Sequence, residues 1–149
     1  MIIKTELIVI NWLKDKKCEG VIINLTLNSN NRKILRGKRF SDCNKELIMQ
    51  LPREGLISDG DILETNQEGI FVKVKAMKEN LLKISSDSNL DLLKAVYHLG
   101  NRHVEMELLN NYIFVKDDYV IENLLKNLHM NTKKIYRKFN PEIGAFKHG

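Results

Sequence analysis

Residues that build cross-linked or membrane-embedded proteins are scarce in this chain. Of its 149 residues only two are cysteines, Cys18 and Cys43, and neither belongs to a CxxC pair. A disulfide framework or a structural zinc site is therefore not indicated, and we expect two reduced thiols. No apolar run approaches the roughly 20 residues of a membrane span, and residues 1–6 lack the apolar core of a signal peptide. We expect a cytoplasmic protein with no membrane partner.

The motifs of common catalytic sites are missing as well. The sequence has no GxxxxGK[ST] phosphate-binding loop, no GxSxG nucleophile elbow and no HExxH metalloprotease helix. Cys43 has no histidine close to it in the sequence, so nothing local supports a nucleophile pair. Asp59-Gly60-Asp61 resembles the start of a calcium loop, but the remaining EF-hand ligands are absent, which leaves a tight turn. The chain is therefore predicted to bind rather than to catalyse, and it is not expected to be an enzyme.

Apolar and basic residues are both plentiful. Hydrophobic residues make up 43% of the chain, which is enough for packed cores, and the net charge is +5. Much of the basic excess lies in one short stretch: Arg32, Lys33, Arg36, Lys38 and Arg39. Such a cluster attracts nucleic acid or an acidic protein surface. It is also typical of an exposed strand pair whose Lys and Arg discourage edge-to-edge aggregation, which is the interpretation we favour.

Short strands separated by turns account for the first half of the sequence. Residues 21–27 are apolar and β-branched, as in a strand. Residues 46–51 form a second strand, which stops at Pro52 because proline cannot donate to a strand ladder. Residues 69–76 alternate in polarity with a period of two. No helix of convincing length is predicted here, so we expect an all-β domain over residues 1–78.

Residues 79–149 change period in a regular order that predicts a second domain. Strands are expected at residues 81–84, 104–108, 112–115 and 133–136, with a type I′ hairpin turn at Asn110-Asn111. Two helices separate them, one opening at Ser88 and one after Asp117 and Asp118. The resulting order is βαββαβ, the ferredoxin-like arrangement. The predicted fold class is α+β, with an N-terminal all-β domain followed by a ferredoxin-like βαββαβ domain.

The ends and the buried faces of the two helices follow from side-chain types. Ser88-Asn89-Leu90-Asp91 resembles a capping box for the first helix. Leu90, Leu93 and Tyr97 have the spacing of its buried apolar face, with Val96 beside them. Gly100 is expected to end this helix in the left-handed conformation that glycine adopts without steric cost. The second helix is expected to bury Val120, Ile121, Leu124, Leu125 and Leu128.

The chain has four histidines, and one of them lies at a rigid junction. His98 and His129 each lie near the end of a predicted helix, where a cationic imidazole complements the helix dipole. His103, in the run Gly100-Asn101-Arg102-His103, is predicted to start a strand just beyond a tight turn, so the backbone fixes its direction. His148 lies in a glycine-flanked tail that can move toward a partner. His103 and His148 are therefore the candidate metal ligands.

One chain supplies too few ligands for a closed metal site around His103. No HxH, HxxxH or CxxC pair accompanies it, whereas nickel and copper favour several imidazole nitrogens. A two-fold dimer would solve the shortage, because an isologous contact brings the same residue of both subunits together. Two His103 side chains with one or two His148 side chains would give three or four nitrogen ligands.

Three segments of the sequence carry a family resemblance. They are residues 51–63 (LPREGLISDGDIL), Gly100-Asn101-Arg102-His103, and residues 139–149 (FNPEIGAFKHG). In this order they resemble the UreE family, the nickel metallochaperones among the urease accessory proteins. The resemblance implies a peptide-binding-like β domain for protein docking, followed by a ferredoxin-like domain that dimerises and binds nickel. It also implies that His103 binds nickel at the dimer interface and that His148 joins it.

The resemblance implies a homodimer that delivers nickel for assembly of the urease active site. Its expected partners are the urease apoprotein complex and the GTPase UreG, and zinc or copper is expected to replace nickel only in vitro. Some members have a long histidine-rich tail and a further histidine pair before the second helix. Neither is present here, so high-capacity nickel storage and a secondary copper site are not expected.

Two other classes of function compete with this interpretation. A βαββαβ module with basic flanks also describes an RNA-recognition motif, so the alternative function is RNA binding. That motif stacks bases on aromatic residues of its central strands, and residues 81–84 contain none, so we expect no nucleic-acid partner. A scaffold whose basic N-terminal domain docks an acidic protein is the third possibility.

Overall fold

Two compact units make up the protein. The computed structural model describes residues 6–15 and 17–144. Within them the protein is a mixed α+β structure that divides between Met77 and Lys78, and each unit has its own hydrophobic core. No helix among the described residues is both long and apolar enough to cross a membrane.

The first unit is built from strands. Its described elements are β1 (Ile8–Trp12), β2 (Val21–Leu27), a 3-10 turn (Asn31–Lys33), β3 (Arg36–Phe40), β4 (Glu46–Gln50), β5 (Ile62–Thr65) and β6 (Ile70–Ala76). They form one sheet in the order β2-β6-β5-β1-β4-β3. Ile23, Leu25 and Leu27 of β2 are buried, because alternate side chains of a strand point to the same face. The strand predicted at residues 21–27 is confirmed.

The Asp59-Gly60-Asp61 segment is a tight turn, as predicted. Gly60 has a φ of 85°, a left-handed conformation that glycine adopts readily. Asp59 Oδ1 accepts the backbone N–H of Ala76 at 2.7 Å. Asp61 Oδ2 accepts the N–H of Ser58 at 2.8 Å and the indole N–H of Trp12 at 3.1 Å. Both carboxylates therefore make hydrogen bonds that hold the turn against the strands β1 and β6.

The basic stretch between residues 32 and 39 is divided between the core and an edge strand. Arg36 and Lys38 are exposed on β3, which lies at one edge of the sheet, and Lys38 Nζ is 3.3 Å from Glu46 Oε2. Arg32 is only 4% exposed and its guanidinium donates to the carbonyl oxygen of Leu27 at 3.3 Å. The interpretation as an exposed strand thus fits Arg36 and Lys38, whereas Arg32 is a structural residue.

Helices and strands alternate in the second unit. Its elements are β7 (Lys78–Ser85), α1 (Asn89–Asn101), β8 (Glu107–Leu108), β9 (Tyr112–Lys116), α2 (Tyr119–Asn127) and β10 (Asn131–Lys138). The element order β-α-β-β-α-β is the predicted one, and the four strands form an antiparallel sheet in the order β10-β7-β9-β8. Both helices pack on one face of this sheet, against Leu82, Ile84, Ile113 and Val115.

Helix α1 begins as predicted but buries a different face. Ser88 is its N-cap residue, and the hydroxyl accepts the N–H of Asp91 at 3.2 Å. The predicted buried face is wrong, because Leu90, Leu93 and Tyr97 are 60%, 66% and 67% exposed. The stripe that faces the sheet is Leu92, Ala95, Val96 and Leu99. Both stripes have helical spacing, and the stripe with the small Ala95 allows the helix to lie closer to the sheet.

Helix α2 follows the prediction more closely. Asp118 caps it by accepting the N–H groups of Val120 and Ile121 at 2.8 Å and 3.0 Å. Leu125 is fully buried, and Ile121, Leu124 and Leu128 pack around it. Val120 is 63% exposed, so the prediction that it is buried is wrong. It lies in the first helical turn, on the side that faces away from the sheet.

The strand predicted at residues 104–108 is much shorter in the structure. Only Glu107–Leu108 pairs with β9, and residues 104–106 connect it to the end of α1. The hairpin turn at Asn110-Asn111 is present, with the Leu109 N–H donating to the Tyr112 carbonyl at 3.0 Å. Its predicted type is wrong, because type I′ needs a positive φ at both central residues and neither asparagine has one. Type I′ turns are favoured because they match the right-handed twist of the two strands they join, and β8, with only two residues, contributes little twist.

The chain itself covers the face of this sheet that lies opposite the helices. Phe139, which follows β10 directly, is fully buried in a cluster with Leu81 and Phe114. The guanidinium of Arg137 lies 4.0 Å from the centre of the Phe114 ring. The residues after β10 therefore cross the sheet.

Candidate metal centre

His103 lies at the end of helix α1 in a left-handed conformation. Its φ is 56°, and its N–H donates to the carbonyl of Gly100 at 3.0 Å. The next residue, Val104, donates to the carbonyl of Leu99 at 3.1 Å. These two bonds form a Schellman motif, in which the left-handed position is usually occupied by glycine. The helix runs to Asn101, so the predictions that Gly100 ends it and that His103 starts a strand are both wrong.

The cap limits where the imidazole of His103 can point. The two backbone hydrogen bonds fix the backbone at this residue, and the side chain is exposed. Histidine is enriched several-fold among non-glycine residues in the left-handed region, yet the conformation still costs energy. The run Gly100-Asn101-Arg102-His103 was predicted to place this imidazole at the start of a strand, and the motif that holds it is a helix cap instead.

His103 lies in an open groove that two distant parts of the chain form together. Residues 103–106 and Leu108 line one side, and residues 142–144 line the other, around a volume of about 310 Å³. The N–H of Glu142 donates to the carbonyl of Met106 at 2.7 Å, and Glu142 Oε1 accepts the N–H of Leu108 at 3.4 Å. Sequence reasoning missed this pairing, because no pattern of spacing links segments that are more than thirty residues apart.

The other two described histidines lie elsewhere in the second unit. His98 is in the last turn of α1, and its ring is 5.6 Å from that of Tyr97. His129 follows α2 with a φ of 58° and the same pair of cap bonds, from its own N–H to Lys126 and from Met130 to Leu125, each 3.0 Å long. His129 is therefore the backbone counterpart of His103 at the other helix, which the sequence analysis did not foresee.

The described part of one chain does not hold a complete metal site. Within residues 6–15 and 17–144, no group of three or more His, Cys, Asp or Glu side chains is arranged to hold a metal ion. His148, the second predicted ligand, lies outside the described residues. A metal bound at His103 would therefore need ligands from the rest of the chain or from a second chain.

Known proteins similar to this chain share one description. The sequence model of the family described as "UreE urease accessory protein, C-terminal domain" matches residues 79–149. The urease accessory protein UreE of Prochlorococcus marinus subsp. pastoris is 54% identical over 145 residues, which cover 97% of this chain and 94% of that protein. The UreE of Prochlorococcus marinus strain MIT 9301 is 50% identical over 96% of both chains. That of Synechococcus sp. strain CC9311 is 38% identical over 84% of this chain and 81% of its own.

Similarity of this extent defines a urease accessory protein. The chain belongs to the UreE family, so the resemblance found in the sequence is confirmed. The matches give no support to the alternative function of RNA binding. The structure also argues against it, because Phe114 of the central strand β9 is only 3% exposed beneath Phe139 and cannot stack on a base.

Proposed function

We propose that this protein is a nickel metallochaperone of urease maturation, in which two chains share one nickel ion through their His103 side chains. Membership of the UreE family supports the role in urease maturation. The observation that carries the proposed site is the groove of about 310 Å³ that His103 lines together with residues 142–144. The left-handed backbone of His103 does not by itself mark a ligand, because His129 has the same conformation with a φ of 58°.

Ligand number supports the sharing of the metal. Each chain presents one exposed imidazole at His103 on a backbone that the helix cap fixes. Nickel prefers several nitrogen ligands, and a ligand held in place before binding loses little freedom when it coordinates. A two-fold axis beside His103 doubles the number of such ligands without any further residue. Zinc or copper would use the same nitrogens in vitro.

The exposed stripe of helix α1 is a suitable surface for the second copy. Leu90, Leu93 and Tyr97 lie on one face of the helix that ends at His103, and each is at least 60% exposed. Isolated exposed apolar residues are ordinary, but a contiguous group of them marks an interaction site. A dimer that buried this stripe with its two-fold axis near the end of the helix would bring the two His103 residues together.

Gly100 on the same helix supports this contact. Its φ is not left-handed, and a Cβ built there meets no atom within 4 Å among the described residues. Glycine inside a helix costs about 1 kcal/mol relative to alanine, and packing among residues 6–15 and 17–144 does not require it. Close approach of a partner's backbone to the helix beside Tyr97 would account for it.

His148 is proposed as a second, weaker ligand. Gly144 lines the groove of His103, and His148 lies four positions beyond it. Four residues span at most about 14 Å when fully extended, so the imidazole would reach the groove. Ordering them costs about 1–2 kcal/mol per residue, which offsets much of the gain from a metal–nitrogen bond. His148 should therefore strengthen a site that His103 creates.

The two units are assigned different roles. The strand order β10-β7-β9-β8 supports a ferredoxin-like second domain, residues 79–149, which would dimerise and bind nickel. Residues 1–78 would dock partner proteins, and the exposed Arg36 and Lys38 of β3 suit an acidic surface. The partners would be the urease apoprotein complex and the GTPase UreG, in the cytoplasm, with the chaperone itself carrying out no bond-making step.

Titration calorimetry combined with native mass spectrometry tests the proposed site. The wild type should bind one nickel per two chains, and His103→Ala should abolish this binding while the circular dichroism spectrum is unchanged. His129→Ala is the matched control, because His129 has the same backbone conformation at the end of α2. A stoichiometry of one nickel per chain, or undiminished binding by the His103→Ala variant, would overturn the shared site.

A further inference from the structure

The C-terminal strap, defined as residues 139–144, follows β10 and crosses the second unit's sheet. Its first residue, Phe139, is fully buried against Leu81 and Phe114 and anchors the strap to the sheet. At the other end of the strap, residues 142–144 line the groove that contains His103. The strap therefore links the far edge strand of the sheet to the proposed nickel groove.

A buried carboxylate bonds to the strap directly after its Phe139 anchor. Glu107 of β8 is 6% exposed. Its Oε1 accepts the backbone N–H of Asn140 at 2.7 Å, and its Oε2 is 3.0 Å from Arg137 Nη1. The Arg137 guanidinium is in turn stacked on Phe114. Glu107 thus bonds both to the end of β10 and to the strap, and these charge-assisted bonds are stronger than neutral ones.

The strap continues from this anchor along the strand that Glu107 occupies. The N–H of Glu142 donates to the carbonyl of Met106, the residue before Glu107, at 2.7 Å. The Glu107 bond to Asn140 precedes this contact by two residues and directs the chain toward it. The segment that follows Gly144, which includes His148, therefore begins at the groove of His103.

We propose that Glu107 is a positioning residue for the nickel site: it holds the strap so that the chain after Gly144, which carries the proposed ligand His148, starts beside His103. The proposal rests on the nickel-binding function proposed above. Its physical basis is effective concentration: a tethered ligand binds more tightly when its tether starts close to the site and is already ordered. The side chain of Glu107 bonds to Asn140 and Arg137, so its proposed effect on the nickel site is exerted through the chain.

The substitution Glu107→Gln separates this role from general stability. The glutamine amide has one acceptor, so keeping the Asn140 bond turns its NH₂ group toward the Arg137 cation. The strap is then released or strained, while the side-chain volume is kept. Arg137 is 31% exposed at its side chain and can reach water, so the unit still folds.

A double-mutant cycle with His148 gives the test. Nickel affinity is measured by calorimetry on the full chain for the wild type, Glu107→Gln, His148→Ala and the double variant. We expect Glu107→Gln to weaken nickel binding about tenfold in the wild type and to have no effect in the His148→Ala background. Asp117→Asn is the control, because it removes the carboxylate of a different ion pair of the unit, 3.7 Å from Lys134, without touching the strap.

The outcomes are distinguishable. An equal loss in both backgrounds would mean that Glu107 acts through the fold, and no loss in either would mean that the strap is irrelevant; either result overturns the proposal. A wild type that binds no nickel overturns the proposed function and this role of Glu107 together. Amide exchange of the metal-free protein checks the anchor itself: Glu107→Gln should accelerate exchange at Asn140 and Glu142, and unchanged rates would refute it.

Discussion

Replacing His103 by glycine should abolish nickel binding and stabilise the protein at the same time. At φ 56° a non-glycine residue costs about 1–3 kcal/mol, and glycine relieves this cost. Glycine also has more conformational freedom in the unfolded chain, which lowers the free energy of unfolding by about 0.4–1 kcal/mol. The His103 side chain is exposed, so little packing is lost. The net gain should be about 1 kcal/mol, or a Tm increase of about 4–8 °C for a unit of this size.

His129→Gly separates the two effects. His129 has a φ of 58° and the same cap bonds, so its replacement should raise the Tm by a similar amount. Nickel affinity should remain at the wild-type value in this variant. Thermal unfolding of the metal-free full chain and nickel calorimetry measure the two quantities. The reasoning is refuted if His103→Gly lowers the Tm, or if both substitutions abolish nickel binding.

Four further results are expected. Gly100→Ala should stabilise helix α1 by about 1 kcal/mol. The same substitution should shift the proposed dimer toward monomer in light scattering, and an unchanged dimer would contradict the proposed contact at this helix. His148→Ala should weaken nickel binding with unchanged stoichiometry, whereas complete loss would reverse the proposed order of the ligands. Residues 79–149 expressed alone should still dimerise and bind nickel, and a monomer without metal affinity would contradict the division of roles. Phe139→Ala should cost about 3–5 kcal/mol in urea unfolding, because the side chain is fully buried, and a loss below 1 kcal/mol would show that the strap does not pack on the sheet.

Local patterns in the sequence were sufficient to predict a strand and both helix starts, because the residue types at these positions favour one local structure. The β-branched run at residues 21–27 became β2 without a change of bounds, and the hydroxyl of Ser88 caps α1. Asp118 likewise caps α2. In each case the relevant partner lies within a few residues or is set by strand periodicity, so a short window of sequence contains the cause.

Predictions failed where two local solutions were equally good. Helix α1 has two apolar stripes with helical spacing, and only the sheet decides that Leu99 is buried and Leu93 is exposed. Glycine is the ordinary left-handed cap residue, so Gly100 was a reasonable choice over His103, which takes the position in the structure. The contact between Glu142 and Met106 lies beyond any local pattern. The role of His103 as a ligand therefore stays a prediction from the sequence, and its structural surroundings could be described only from the fold.

The path of the C-terminal strap has a practical consequence for purification. Gly144 lines the groove of His103, and only four residues lie between this glycine and the last position of the given sequence. A polyhistidine tag appended at that end would add a row of foreign imidazoles within reach of the proposed centre. Nickel affinities and stoichiometries measured on such a fusion would report the tag as well as the protein, so the tag should be cleaved or the protein purified without one.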